Sequence, residues 1–512
     1  MCTSTRSGTA RGRSRVCLSR PARLLGCVTL TLLLSVTRVA GAPDLRLLDA
    51  VRQQNIEMAR ALLRQHVDVN ARQPDGATAL HWAVQGNDVD LAALLVGAGA
   101  NVSAANELGV TPLFLASDLG SPRMVETLLA AGARPGAAFS AGETELMAAA
   151  RSGSVPIVRA LLASGADVNA RETRRGQTAL MWAAAGRHPA VVQTLIESGA
   201  DVHVRSRVTR LTVNISDPFN TRGRTSDGPD RGRAPDPHVA EIAQGGSSAL
   251  LFAARNGDVE SARILLDAGA DVNGTAADGT SAVVMAAHSN QGPLAAFLLA
   301  RGADPNAAGG GYAALHAAVL RGDRKLLEAL LTRRADPNAA ITSPTQSTRF
   351  SCNFTFPDNL IGSTPFLLAA RLAEPELMRE LVAGGADPRR TMPDGTTPLM
   401  LAAGIGFGAG DRRQRPACAD GPHDSEGKAL DAVAVAIEAG ADVNATNAAG
   451  ESALHGAAAQ GLTAVVRLLA QRGARLDARD QFGRTPLSGA SSRARDGGES
   501  AAAVLRKLGA KE

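Results

Sequence analysis

Three histidines, His81, His316 and His455, hold the same place in a recurring phrase, as in Thr78-Ala79-Leu80-His81. Imidazoles in register suggest a zinc site. Zinc, however, takes its ligands about 2 Å from one ion, whereas equivalent positions on packed helices lie on the order of 10 Å apart. The three also fall in units that are not consecutive. A structural role is therefore expected, and no metal ligand is assigned. Cys352 and Cys418 form a candidate disulfide, which needs Cα atoms within roughly 7 Å. Trp82 and Trp182 occupy the next position of the phrase and are of the type enriched in binding hot spots. The chain has no GxxxxGK[ST] phosphate loop, no Cys-x-x-Cys, no HExxH and no G-x-S-x-G elbow. Most Asp residues fall in repeated slots, so no nucleophile, base and orienting group converge. A non-catalytic chain without a cofactor is expected.

The elements that carry these residues recur. The phrase returns at Thr111-Pro112-Leu113, Thr144-Glu145-Leu146, Thr178-Ala179-Leu180, Thr364-Pro365-Phe366, Thr397-Pro398-Leu399 and Thr485-Pro486-Leu487. Several steps, such as 78→111, 248→281, 364→397 and 452→485, are 33 residues. A fixed step of this size marks a stacked repeat. Thr caps a short Ala-rich helix through its hydroxyl, and Pro fits the first helical position because it has no N–H to leave unpaired. A second helix follows with apolar residues at helical spacing, such as Ile157, Val158, Leu161 and Leu162. It stops at a glycine, as at Gly165, Gly199, Gly269 and Gly440, where a left-handed backbone is tolerated. An Ala-Asp-Val-Asn run and a turn such as Asp278-Gly279 complete the unit.

Thr-Pro-Leu-His-x-Ala, Gly-Ala-Asp-Val-Asn and the 33-residue step resemble the ankyrin repeat. The resemblance covers roughly four fifths of the chain after residue 42. It implies an all-α solenoid of about twelve units with short β-hairpin turns, a degenerate first unit near 43–75 and a last outer helix near 501–508. It implies hydrogen-bonding scaffold roles for the three histidines. It also implies a partner-facing surface on the first helices, where Trp82, Trp182 and Phe252 lie in a mostly apolar row with Leu115 and Met285. These rings are either partner anchors or large framework residues. The resemblance further implies a protein partner.

The formal charge of +5 suggests an anionic partner at first sight. Residues 1–42 hold seven Arg and no acidic residue, and without them 47 basic residues face 49 acidic ones. Nucleic acid is therefore not expected, and the 3% aromatic content is low for a base-stacking surface. Residues 1–42 read as a cleaved export signal: a basic start, an apolar stretch from Leu24 to Val36 that is short for a membrane span, and small residues Val39-Ala40-Gly41-Ala42. The mature chain is expected to have no membrane span, to be monomeric, and to be periplasmic or extracellular.

Three jumps in the step reveal insertions. The expected organisation is repeats at 43–202, 247–338, 363–403 and 428–512, separated by insertions at 203–246, 339–362 and 404–427. The first contains Leu211-Thr212-Val213-Asn214-Ile215, whose alternation suits a strand. The second carries Phe350, Phe354 and Phe356 around Cys352, and three Phe in a loop are partner-contact candidates. The third contains Cys418. Asn214-Ile215-Ser216 and Asn353-Phe354-Thr355 fit a glycosylation sequon. The expected function is an exported, non-catalytic protein-interaction scaffold. The alternatives are a regulatory or assembly subunit of an exported enzyme complex, or a protein binding a cell-envelope polymer.

Overall fold

A computed structural model describes residues 44–136, 139, 142–215, 238–344, 358–406, 426–490 and 499–511. Helices follow one another in pairs. The first five pairs are α1 (Arg46–Arg52) and α2 (Ile56–Arg64), α3 (Ala79–Gln85) and α4 (Val89–Gly97), α5 (Pro112–Asp118) and α6 (Pro122–Ala130), α7 (Glu145–Ser152) and α8 (Val155–Ala163), α9 (Ala179–Gly186) and α10 (Pro189–Glu197). Strands β1 (Thr209–Ile215) and β2 (His238–Gln244) come next. The pairs resume with α11 (Ala249–Asn256) and α12 (Val259–Asp267), α13 (Ala282–His288) and α14 (Gly292–Ala300), α15 (Ala314–Arg321) and α16 (Arg324–Thr332). After a 3₁₀ turn at Asp358–Leu360 come α17 (Pro365–Arg371) and α18 (Pro375–Ala383), α19 (Pro398–Ala402) and α20 (Glu426–Glu438), α21 (Ala453–Gln460) and α22 (Thr463–Gln471), and a lone α23 (Ala501–Lys507).

First helices pack on first helices and second on second, giving two layers. The packing continues across each insertion: α9 on α11 and α10 on α12, α15 on α17, α17 on α19 and α18 on α20. The reason lies in side-chain size. On the first helices the fifth residue after the cap is alanine, and Ala83, Ala116, Ala149, Ala183, Ala253, Ala286, Ala318, Ala369, Ala402 and Ala457 are all buried. A methyl group at that position lets neighbouring helices approach closely. Leucines such as Leu80, Leu113, Leu146 and Leu180, and Leu95, Leu128, Leu161 and Leu195 on the second helices, fill the space between layers. Burying a Leu contributes about 1.5–3 kcal/mol, and only a neighbouring unit can supply the burial.

Local signals act as expected. Thr111, Thr144, Thr364 and Thr397 accept N–H bonds at their helix starts. Gly165, Gly199, Gly269 and Gly440 have φ near +90°. The Ala-Asp-Val-Asn run is a bracket between units. Its Asp accepts the N–H two residues on, as Asn273 N–H donates to Asp271 Oδ1 at 2.9 Å. Its Asn then holds the next unit: Asn273 Nδ2 donates to Gly302 O at 3.4 Å, and Asp304 N–H donates to Asn273 Oδ1 at 2.8 Å. Asn70, Asn169, Asn306, Asn338 and Asn444 make the same pair of bonds. The Asn338 bracket reaches Gly385 and Asp387 and so spans the second insertion.

The insertions leave the stack in two different ways. An ordinary turn closes when one N–H donates to a carbonyl four residues on, as from Gln73 to Ala77 and from Ala276 to Thr280. In the first insertion the same closure runs from Ser206 N–H to Ser247 O, at 2.9 Å. In the second it runs from Ile341 N–H to Ser363 O, at 3.0 Å. The repeat backbone therefore extends to Ser206 and Ile341, slightly beyond the 203 and 339 read from spacing. The expected strand forms: β1 pairs antiparallel with β2, Leu211 opposite Ile242. The third insertion lies inside a unit, between α19 and α20, and α20 already begins at Glu426. The expected β-hairpin turns are mostly tight hydrogen-bonded turns. Among the described residues only the first insertion holds a two-stranded sheet, and a single bridge joins Thr275 and Ser281.

Candidate partner-binding surface

The histidines are structural joints. His81 Nδ1 accepts the Thr78 N–H at 3.2 Å, and its Nε2–H donates to Val110 O of the next unit at 3.0 Å. His455 repeats this with Ser452 and Arg484. His316 takes the Ala313 N–H at 3.2 Å, and its Nε2 reaches two carbonyls, Ala339 at 3.0 Å and Ser363 at 3.3 Å. These carbonyls flank the second insertion, so one ring ties both of its ends. Burial lowers the His81 pKa and pushes His316 down to about 4, because the uncharged ring is the form the interior accepts.

The candidate row on the first helices is half-buried at Trp82, Leu115, Trp182, Phe252 and Met285. One side of each packs on the core. The two Trp rings share a device. The Arg52 guanidinium carbon lies 4.7 Å from the Trp82 ring centre, and that of Arg151 lies 4.9 Å from Trp182. A cation over an indole face contributes about 0.5–1 kcal/mol at exposed sites. Arg151 also pairs with Asp118. The rings differ at the edge. Trp82 Nε1 donates to Gln73 Oε1 at 3.1 Å, whereas Trp182 Nε1 has no acceptor among the described residues. Glu172 closes its turn where Gln73 closes the earlier one. Its carboxylate already accepts the N–H groups of Arg174, Arg175 and Gln177.

Past Met285 the equivalent positions are fully buried at Ala317, Leu368 and Leu401, and Gly456 carries no side chain. At Gly456 a Cβ would sit 2.9 Å from Ile405 N and 3.1 Å from Ala403 O. The chain leaving α19 toward the third insertion occupies that space, so only glycine fits. Phe350, Phe354, Phe356, Cys352 and Cys418 lie outside the described residues.

Spacing alone did not reveal two further features. Arg72, Arg171 and Arg205 each stand two residues after the last position of the Ala-Asp-Val-Asn slot. Each guanidinium donates to a carbonyl of the next unit, at Ala105, Arg205 and Thr275 respectively. Their fixed offset is the signal that could have exposed them. The second feature is apolar turn tips: Phe482 is 72% exposed and Leu108 61%. A shallow, open polar depression of ≈ 670 Å³, lined by Asn87, Asp88, Arg123 and Glu126 among others, includes none of the candidate residues.

Among curated proteins, no match was found. A family model described as ankyrin repeats, three copies to the model, matches residues 47–138, 135–206, 250–341 and 424–511. The unmatched stretches hold the first-insertion hairpin and, further on, both later insertions with the helices between them. With well over half of its length matched, and with paired helices, bracketing Asn and joint histidines in the matched parts, the chain belongs to the ankyrin repeat family.

Proposed function

We propose that the chain is an exported, monomeric, non-catalytic scaffold that holds a protein partner on the row formed by Trp82, Leu115, Trp182, Phe252 and Met285. Ankyrin repeats support a role in protein–protein interaction. The observation that carries the reading is the half-buried row itself, with an arginine over each Trp ring. A half-buried ring already packed on the core and against an arginine suits a hot spot, since little side-chain entropy remains to be lost on binding. Export rests on the basic and apolar pattern of residues 1–42. Among the described residues no helix is long and apolar enough to cross a membrane.

Photo-crosslinking side chains placed at Leu115 and Met285 in living cells test the binding face. A defined partner should crosslink from both sites, and a double Trp82→Ala, Trp182→Ala variant should lose most of that yield with its helical circular dichroism intact. Crosslinks only from an outer-helix site such as Arg159 would sink the assignment. For export, amino-terminal sequencing of the mature chain should begin near Gly41–Pro43; a chain retaining residues 1–42 in the cytoplasm would overturn that part.

A further inference from the structure

Five arginines meet where the first insertion leaves the stack. Arg171, Arg174 and Arg175 belong to the preceding turn, Arg205 and Arg207 to the root of the insertion, and all five are exposed. The backbone brings the two groups together. Arg207 N–H donates to Arg175 O at 2.6 Å, and the Arg171 guanidinium donates to Arg205 O. A Cβ on Gly176 would lie 3.1 Å from Arg171 Nη2 and 3.3 Å from Arg207 Cβ, so those side chains flank one glycine. Arg171 and Arg205 are engaged with carbonyls of neighbouring turns. Arg174, Arg175 and Arg207 take part in none of the ion pairs among the described residues. The carboxylate of the same turn forms no ion pair with their guanidinium groups among the described residues: Glu172 is 4% exposed and accepts backbone N–H groups.

Above this root stands the β1–β2 hairpin. Its backbone pairs from Thr209 opposite Gln244 to Ile215 opposite His238. A two-stranded ribbon is marginal on its own in water, and among the described residues no third strand covers its outer edges, whose backbone groups a further strand can pair.

We propose that the root and edge of this hairpin form a docking site for an extended acidic segment of a partner protein. The segment pairs along the hairpin and seats its carboxylates on Arg174, Arg175 and Arg207. This rests on the scaffold reading above. Charge complementarity selects the occupant, because guanidinium groups accept carboxylates in bidentate geometry, and the open edge selects an extended conformation. Nucleic acid is disfavoured: residues 171–177 and 203–208 contain no Phe, Tyr or Trp on which a base could stack.

The test uses the full chain and a fluorescent peptide of about ten residues alternating Glu and Val, the period of a strand. Fluorescence anisotropy should show binding that weakens about tenfold between about 50 and about 300 mM salt, as screening removes the attraction. A combined Arg174→Glu, Arg175→Glu, Arg207→Glu variant should bind at least about tenfold more weakly, and Arg123→Glu with Arg159→Glu on the second helices should change nothing. If the triple variant loses its circular dichroism, Arg174→Gln with Arg175→Gln serves in its place. Equal binding by the root variants, absent binding by the parent chain, or tighter binding of a single-stranded oligonucleotide of equal charge overturns the proposal. Crosslinking from Leu115 and Met285 separates the two readings. If it persists while the peptide fails to bind, only the acidic site is lost; if it fails, the scaffold assignment falls.

Discussion

His316 shows how one side chain couples charge to architecture. Its ring nitrogens bond to Ala313 on one side and to Ala339 and Ser363 on the other. Folded, its pKa is about 4, while an unfolded histidine titrates near 6.5. Between these values the unfolded chain binds the extra proton. The stabilisation is therefore complete above about pH 6.5, and it is lost as pH falls toward 4, by roughly 3 kcal/mol. Urea denaturation across this range should show the decline, and His316→Asn should flatten that part of the profile while lowering stability at pH 7. An unchanged pH slope in the variant would reject the assignment. Glycines at positive φ separate strain from clash in the same way. Gly269→Ala has open space around its Cβ and should cost about 1–2 kcal/mol from backbone strain alone. Gly279→Ala places its Cβ 2.5 Å from the Gly309 carbonyl and should cost clearly more, as read from denaturation midpoints.

The helix-to-helix joints follow from short motifs with long-range partners. Asn273→Ala removes both bonds of a bracket at an exposed site and should cost about 1–2 kcal/mol. Hydrogen exchange should quicken at Asp304 before it quickens in α13. A substitution that destabilises the stack without any local change there would argue against the bracket. Ala286→Leu tests the close approach of first helices: overpacking a well-filled layer costs typically about 1–3 kcal/mol, and a neutral result would show that the layer has room to spare. Much of this was legible beforehand. Thr caps, left-handed glycines and the β1 strand depend on residues within a few positions of one another, so sequence spacing exposes them. The roles of Asn273 and Arg205 were not legible, because their partners lie 29 and 70 residues away and are chosen only when units stack.

For the assembled stack, continuity of packing across the insertions sets the expectation. Replacing residues 207–245 by a tight turn between Ser206 and Gly246 should leave helical content and thermal midpoint nearly unchanged, since the closure from Ser206 to Ser247 belongs to the repeat. A large loss of stability would mean that the hairpin is part of the core. The same replacement should abolish binding of the acidic peptide. The candidate surface was half legible. The aromatic row could be listed from the phrase, but its openness could not, because burial depends on how far each neighbour covers it. The arginine cluster escaped attention for a related reason: its members come from two segments separated by a whole repeat.

The amino-acid sequence by itself determined the architecture of this protein. The 33-residue step, the caps and the alanine positions are local and periodic, and a periodic chain that buries its apolar face only against its own neighbours has little choice but to stack. The tertiary structure alone decided how the unlike parts are used. It set one Trp edge satisfied by Gln73 and the other, among the described residues, without an acceptor, glycine at 456 because the chain leaving α19 fills the space, and three arginines at the root of the hairpin that join none of the ion pairs among the described residues. Each of these depends on which distant atoms share a few ångströms of space, and spacing along the chain carries no record of that.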